Sequence, residues 1–199
     1  MKQIQKLVLA SGNKKKLQEL IACLNPLDIQ VVPQSDFFLD DPEETGFTFV
    51  ENAIIKARYA TARSGLPALA DDSGLEVDAL SGAPGIYSAR YADGLGDAAN
   101  NTKLLQRLES VPEALRTARF RCVLVYMQHE FDSMPIIFTG TWHGKIRTEL
   151  CGISGFGYDP LFQPEGLDVT AAELDQSIKN QLSHRGQAIA EFYQYLKAN

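Results

Sequence analysis

An α/β fold, with a mixed central sheet flanked by helices, is predicted by three features of the sequence. Lys6-Leu7-Val8-Leu9-Ala10 is an apolar run of strand length, and it gives way through Ser11-Gly12-Asn13 to a helical pattern at Leu17, Leu20, Ile21 and Leu24. Strand-like and helix-like segments then alternate through the first half, as they do where helices cover a parallel sheet. After residue 117 two longer strand-like segments follow each other without a helix, which makes the sheet mixed.

The elements follow in order. The loop after the first strand lies at that strand's carboxyl end, where open α/β sheets bind ligands, and the helix behind it turns unpaired N–H groups toward it. Asp28-Ile29-Gln30-Val31-Val32 reads as a second strand ended by Pro33. Residues 33–47 are polar and turn-rich, with Asp40, Asp41, Glu43 and Glu44 close together, and read as a solvated acidic loop. Thr48-Phe49-Val50-Glu51 has the spacing of a capping box, and the helix it opens carries Phe49, Ala53, Ala57 and Ala60 on one side as far as Gly65. Leu66 to Ala70 reads as a short buried strand. Asp72-Ser73-Gly74 has turn chemistry, so Asp71 and Asp72 are expected at a strand end beside a tight bend. A helix is predicted over 97–108 and a strand over 119–127, with Ile136 to Trp142 pairing near it. The final helix is expected from Ser183, burying Ala188, Ile189, Phe192 and Leu196.

The 199 residues suffice for one substantial core, and a single domain over 1–199 is expected. No apolar run approaches the ~18 residues that span a bilayer, and the first residues lack the apolar segment and cleavage site of a secretory signal, so a cytoplasmic location and no membrane partner are expected. Cys23, Cys122 and Cys151 are too widely spaced to imply a disulfide framework or a zinc site. A net charge of −6 argues against a surface that tracks a nucleic acid polymer. A small anion could bind locally, because positive groups are concentrated at Lys14-Lys15-Lys16 and again at Lys179 and Arg185.

Gly152-Ile153-Ser154-Gly155-Phe156 fails the nucleophile-elbow pattern at its last position. Gly140 to Ile146 is too short for a P-loop and lacks its hydroxyl, and His129, His143 and His184 have no metal-binding spacing. Four segments remain. Ser11 to Lys16 joins a hydroxyl, a glycine turn, an amide and cations at a strand-to-helix junction, as a phosphate cradle does. Glu43-Glu44 and Asp71-Asp72-Ser73 supply the oxygen ligands a hard divalent cation takes, with a phosphate-bearing substrate completing the shell. The fourth unites Ser154 to Pro160 with Lys179 and Ser183-His184-Arg185-Gly186.

SGNKKK, EETGxTFxENAxxKA, ADDSGLxVDALxGAPGIYSARYA, GFGYDPLF and SHRGQA, in this order and at these separations, resemble the inosine/xanthosine triphosphate pyrophosphatase family. The resemblance runs from about Lys6 to Leu196. It implies hydrolysis of non-canonical purine nucleoside triphosphates (ITP, dITP, XTP) to the monophosphate and pyrophosphate, dependence on Mg2+, a homodimer, and two lobes with an active-site cleft between them. Carried over by position, Ser11, Gly12, Asn13, Lys14, Lys15 and Lys16 would hold the triphosphate, Lys16 most directly. Glu43 or Glu44 would bind the metal with Asp72, which is also the implied proton acceptor. Ser73 would touch the substrate, and Phe156, Gly157, Tyr158, Asp159, Lys179, His184 and Arg185 would surround the nucleoside. Asp93 to Asn101 matches the family pattern poorly, and nothing is carried over there.

On this reading water attacks the α-phosphorus, Lys16 offsets charge on the leaving group, and Asp72 orients or deprotonates the water, with Asp71 or a Glu able to share that task because a metal-bound carboxylate oxygen is a weak base. Donors from His184, Arg185 or the backbone would accept a 6-oxo purine and reject adenine, and Phe156 or Tyr158 would stack on the base. A Maf-like nucleotide pyrophosphatase is disfavoured, since the loop carries Lys16 and no Arg. A non-catalytic nucleotide binder is disfavoured by the acidic pairs, which sit beside a polyphosphate only with a metal between.

Overall fold

The computed structural model describes residues 6–24, 29–38 and 40–198, without the side chain of Cys23; Asp28, expected to open the second strand, lies outside the described residues. Strands β1 (Lys6–Ala10), β2 (Gln30–Pro33), β3 (Ala68–Val77), β4 (Thr117–Met127), β5 (Ile136–Ile146) and β6 (Phe162–Pro164) are joined by helices α1 (Lys14–Leu24), α2 (Phe49–Ser64), α3 (Asp97–Arg107), α4 (Gln176–Leu182) and α5 (His184–Ala198). The strands hydrogen-bond in the order β2-β1-β3-β4-β5-β6. β1 is parallel to β2 and to β3, whereas β5 and β6 are antiparallel, so the sheet is mixed as its sequence predicts.

The chain divides into two compact units, the first made of residues 1–72, 122–140 and 185–199, the second of 73–121 and 141–184. In the first unit the alternation of strand side chains decides which helix each residue meets. Leu7 and Leu9 of β1, Leu69 of β3 and Cys122, Leu124 and Tyr126 of β4 share one core cluster with Leu20 and Leu24 of α1 and Ala188, Ile189 and Phe192 of α5. The intervening residues Val8, Ala10, Ala68, Ala70, Val123, Val125 and Met127 share another with Ala53, Ala57 and Ala60 of α2. Alanines on the buried face of α2 let its backbone lie close to the small residues of the strands. Tight packing of this kind is where most of the stability resides, at roughly 25 cal/mol per Å2 of apolar surface removed from water.

The second unit has its own core of Leu75, Val77, Leu104, Leu108, Phe120, Ile146, Tyr158 and Phe162. Trp142 is buried there, its ring 5.4 Å from that of Phe162, which is the core role expected of a lone tryptophan. Among the described residues no helix is long and apolar enough to cross a membrane.

Two local expectations are corrected. β3 does not stop at Ala70; it runs on through Asp71, Asp72, Ser73 and Gly74 as strand, so the acids are not at the end of their own strand. They follow the end of its neighbour, because the pairing of β1 with β3 finishes at Ala10 opposite Ala70. The turn residues of Asp72-Ser73-Gly74 are overridden by tertiary pairing and by cations that pair with each of the two carboxylates. Ser183, expected to open the last helix, stands one residue before it: it closes α4, a short helix capped by the Asp175 side chain, and α5 begins at His184.

The predicted capping box at α2 is present. Thr48 Oγ1 accepts from the Glu51 N–H at 3.2 Å and donates to Glu51 Oε2 at 2.9 Å, while the Phe47 N–H donates to the same carboxylate oxygen at 2.8 Å. Gly65, left-handed at φ 66°, ends the helix. Thr48→Ala is expected to lower unfolding free energy by about 1 kcal/mol with an unchanged denaturant slope. An unaltered urea midpoint would show that the cap contributes nothing to the helix.

Candidate active site

The site in the first unit begins where β1 ends. Asn13 caps α1, its Oδ1 accepting from the N–H groups of Lys15 at 3.0 Å and Lys16 at 3.2 Å, and Ser11 Oγ accepts from the Asn13 N–H at 3.3 Å. Gly12, Asn13, Lys14 and Lys15 are exposed, and Ser11 and Lys16 are partly buried. Lys14, Lys15 and the positive end of α1 thus face outward, as an anion site requires.

Asp71 and Asp72 are neighbours in a strand, so their side chains leave opposite faces of the sheet. Asp71 shares the face of Leu69, toward α1 and α5, and is fully buried. Its Oδ1 accepts from Lys16 Nζ at 2.9 Å; its Oδ2 accepts from Arg185 Nε at 3.1 Å and from the Cys122 thiol at 3.2 Å. Burial alone would raise its pKa, but Arg185 and Lys16 outweigh burial and hold the carboxyl well below the usual range. Burial and the adjacent Asp71 charge push the Cys122 thiol well up, so it is a neutral donor. Arg185 is in turn paired with Glu19 of α1. Asp71 is therefore a saturated anion, which removes it from the candidates for a shared general base: both of its oxygens are engaged and its basicity is low.

Asp72 faces the other way, toward α2. Its Oδ1 accepts from Lys56 Nζ at 2.8 Å, and the same ammonium pairs with Glu44 Oε1 at 2.6 Å and reaches the Asp71 carbonyl at 3.3 Å. Asp72 Oδ2 is buried with no hydrogen-bond partner among the described residues. Burial raises the pKa of Asp72, Lys56 opposing it in part. Burial would lower the pKa of Lys56, but the Asp72 and Glu44 carboxylates outweigh it and hold the ammonium above its ordinary value. Two carboxylates that already converge on one cation, one of them with an open oxygen, fit a hard divalent ion. Of the two adjacent glutamates it is Glu44 that joins the cluster, while Glu43 is exposed. No group of three or more His, Cys, Asp or Glu side chains among the described residues could hold a metal. A pair of carboxylates completed by substrate phosphates is the common arrangement for magnesium.

The remaining candidates lie in the second unit, except Arg185. Lys179 of α4 is buried against Asp159, Nζ to Oδ2 at 2.8 Å, and lies 5.0 Å from the centre of the Phe156 ring. Asp159 Oδ2 also accepts the Phe156 N–H at 2.7 Å. The loop is wound so tightly that a Cβ on Gly155 would lie 2.2 Å from Asp159 Oδ2. Tyr158 is buried and its hydroxyl donates to the Ser88 carbonyl at 2.8 Å, so it anchors the loop and leaves Phe156 as the stacking candidate. His184 is buried and stacks on Phe120 at 4.8 Å with the rings nearly parallel. Ser73 continues β3 directly after Asp72, half-buried. Arg185, expected beside the base, instead directs Nε to Asp71 and another guanidinium nitrogen to Glu19.

Lys56, Glu19 and Cys122 belong to these clusters and are not among the residues assigned from sequence. Lys56 had a signal: it stands three residues after Ala53 and four before Ala60, on the side of α2 that carries the alanines. Glu19 follows Lys16 by one turn, and Cys122 shares the strand parity of Leu124 and Tyr126, but only the pairing of β3 with β4 brings it to Asp71.

The sequence model of the Ham1 family matches residues 7–195. A protein of Thioalkalivibrio sulfidiphilus named dITP/XTP pyrophosphatase is 57% identical over 185 residues, 92% of this chain and 94% of the relative. One of the same name from Vibrio parahaemolyticus is 53% identical over 196 residues, 98% of each. Among solved structures, a HAM1 protein from Coxiella burnetii superposes with a TM-score of 0.91 at 48% identity, covering 98% of this chain and all of the other. A dITP/XTP pyrophosphatase from Mycobacterium abscessus gives 0.76 at 40% identity, covering 94% and 98%. Matched along nearly its whole length in both sequence and fold, the chain belongs to the Ham1 family.

Proposed function

We propose that the protein is a nucleoside triphosphate pyrophosphatase that hydrolyses non-canonical purine nucleotides, dITP, ITP and XTP, to the monophosphate and pyrophosphate. The observation that carries this reading is the division of two adjacent aspartates, one pairing with Lys16 at the start of α1, the other converging with Glu44 on the Lys56 ammonium. The names of close relatives point to the same reaction.

Each step then has a group suited to it. Lys16, held by Asp71 at the start of α1, offsets charge on the departing pyrophosphate, with the outward lysines and the helix terminus adding attraction for the triphosphate. Asp72 accepts the proton of the attacking water through Oδ2, its basicity raised by burial. Lys56 supplies a second positive charge beside Asp72 that can exchange a carboxylate for a phosphate oxygen. Glu44 and the Asp72 oxygen now paired with Lys56, Oδ1, would hold Mg2+, which when bound neutralises phosphate oxygens and polarises the phosphorus, and Oδ2 is left for the proton. Phe156, with Lys179 against its ring, forms an aromatic face for the purine, and donors of the second unit select a 6-oxo base. We further propose that 1–199 works as a single catalytic domain, in the cytoplasm and as a homodimer.

The test is product analysis with dITP and magnesium: dIMP and pyrophosphate in equal amounts support the reading, while orthophosphate or no turnover refutes it. Asp72→Asn should lower kcat by about 10²-fold or more while dITP affinity stays within a few-fold. A near-normal kcat would remove Asp72 as the proton acceptor.

A further inference from the structure

We propose that Asp97 and Asn101, one turn apart on α3, are positioning residues that fix the Phe156-bearing loop and thereby set purine selectivity. This inference rests on the reading of the loop as the base-binding element.

Both polar backbone groups of Gly157 are captured by this one helix turn. The Gly157 N–H donates to Asp97 Oδ2 at 2.9 Å, and the Gly157 carbonyl accepts from Asn101 Nδ2 at 2.8 Å. Residues four apart on a helix present side chains side by side, which matches the separation of an N–H and a C=O on one residue. Gly157 is left-handed, φ 61°, so the chain reverses there, and the reversal is where a loop would otherwise have most freedom. The two flanking residues are tied as well. Phe156 donates its N–H to Asp159, and the Tyr158 hydroxyl reaches the Ser88 carbonyl, which also accepts from Asn100 Nδ2 at 3.3 Å. α3 thus holds the loop directly at Gly157 and, through Ser88, at Tyr158.

Asn100 and Asn101 are buried, 1% and 5% exposed. Burying an amide is unfavourable, the more so for Asn101, whose Oδ1 has no hydrogen-bond partner among the described residues, and a helix needing only to pack would carry apolar residues there. With Tyr158 anchored in the core and the Gly157 groups taken, the backbone that carries the Phe156 ring is tied down on its carboxyl side. Discrimination between purines that differ by one donor or acceptor depends on such fixity, because a loop that can shift re-forms hydrogen bonds with the wrong base.

Asp97 is exposed, so Asp97→Ala should fold, and it removes the acceptor for the Gly157 N–H, whereas Asp97→Asn keeps one. With purified variants, kcat and KM are measured for dITP and dATP beside the melting temperature. Asp97→Ala is expected to raise KM for dITP about tenfold with kcat within about threefold, and to lower the dITP-over-dATP preference about tenfold, a loss of binding that is uniform between ground and transition state. Asp97→Asn should restore the wild-type values, and Asn101→Leu should follow Asp97→Ala. A lower melting temperature for Asp97→Ala with both nucleotides handled as by wild type would overturn the proposal, since Asp97 would then be only a favourable charge in the first turn of α3. Wild-type protein inactive on dITP would instead refute the functional reading on which the proposal stands.

Discussion

A carboxylate buried in the middle of a strand is the constraint around which the first unit is organised. Asp71 has no exposed side-chain surface, and an isolated ion there would be intolerable. It is tolerated because α1 delivers Lys16, α5 delivers Arg185 and β4 delivers the Cys122 thiol to its two oxygens. Removing one partner of such a group strands a buried charge, which typically destabilises by about 3–5 kcal/mol. The arrangement therefore does two things at once: it fixes how two helices seat on the strand and it holds Lys16, in the first turn of α1, in one position.

Strand parity gives the adjacent aspartates different chemistry from nearly identical sequence contexts. Facing α1 and α5, Asp71 meets two cations and a thiol and is locked in its charged form. Facing α2, Asp72 meets one cation that it shares with Glu44, retains an open oxygen and is the more basic of the two. Charged groups of differing basicity, held on one rigid strand, are a common way to divide acid–base work from positioning work. The second unit makes a similar division in its loop, where the Tyr158 hydroxyl is an anchor and the Phe156 ring carries the Lys179 ammonium against it.

Much of this is legible in the sequence, for identifiable reasons. Period-2 and period-3.6 patterns predict β1, α1, α2, α3, β4 and β5, and the Thr48–Glu51 box predicts where α2 begins. The five motifs predict the family. What the sequence hides is tertiary in origin. Asp72-Ser73-Gly74 has turn chemistry that pairing overrides, and nothing local announces that two neighbouring acids will face different helices. The role of Arg185 is equally hidden, because a guanidinium near the end of the chain has no sequence mark that distinguishes a nucleobase from a buried aspartate as its partner. Lys56 is the only cation of the motif that runs from Glu43 to Ala57, and its importance emerges only when Glu44 and Asp72 converge on it. Asp97 and Asn101 sit in a stretch that matches the family pattern poorly, and their partner, Gly157, is 56 residues or more away.

The central claim, that two adjacent aspartates occupy opposed electrostatic environments, is tested most directly by titrating their carboxyl carbons by NMR in the intact protein. On acidification Asp72 should take up its proton first, above the ordinary carboxyl value, while Asp71 stays ionised well below it. Coincident titration of the two, or protonation of Asp71 before Asp72, would contradict the account.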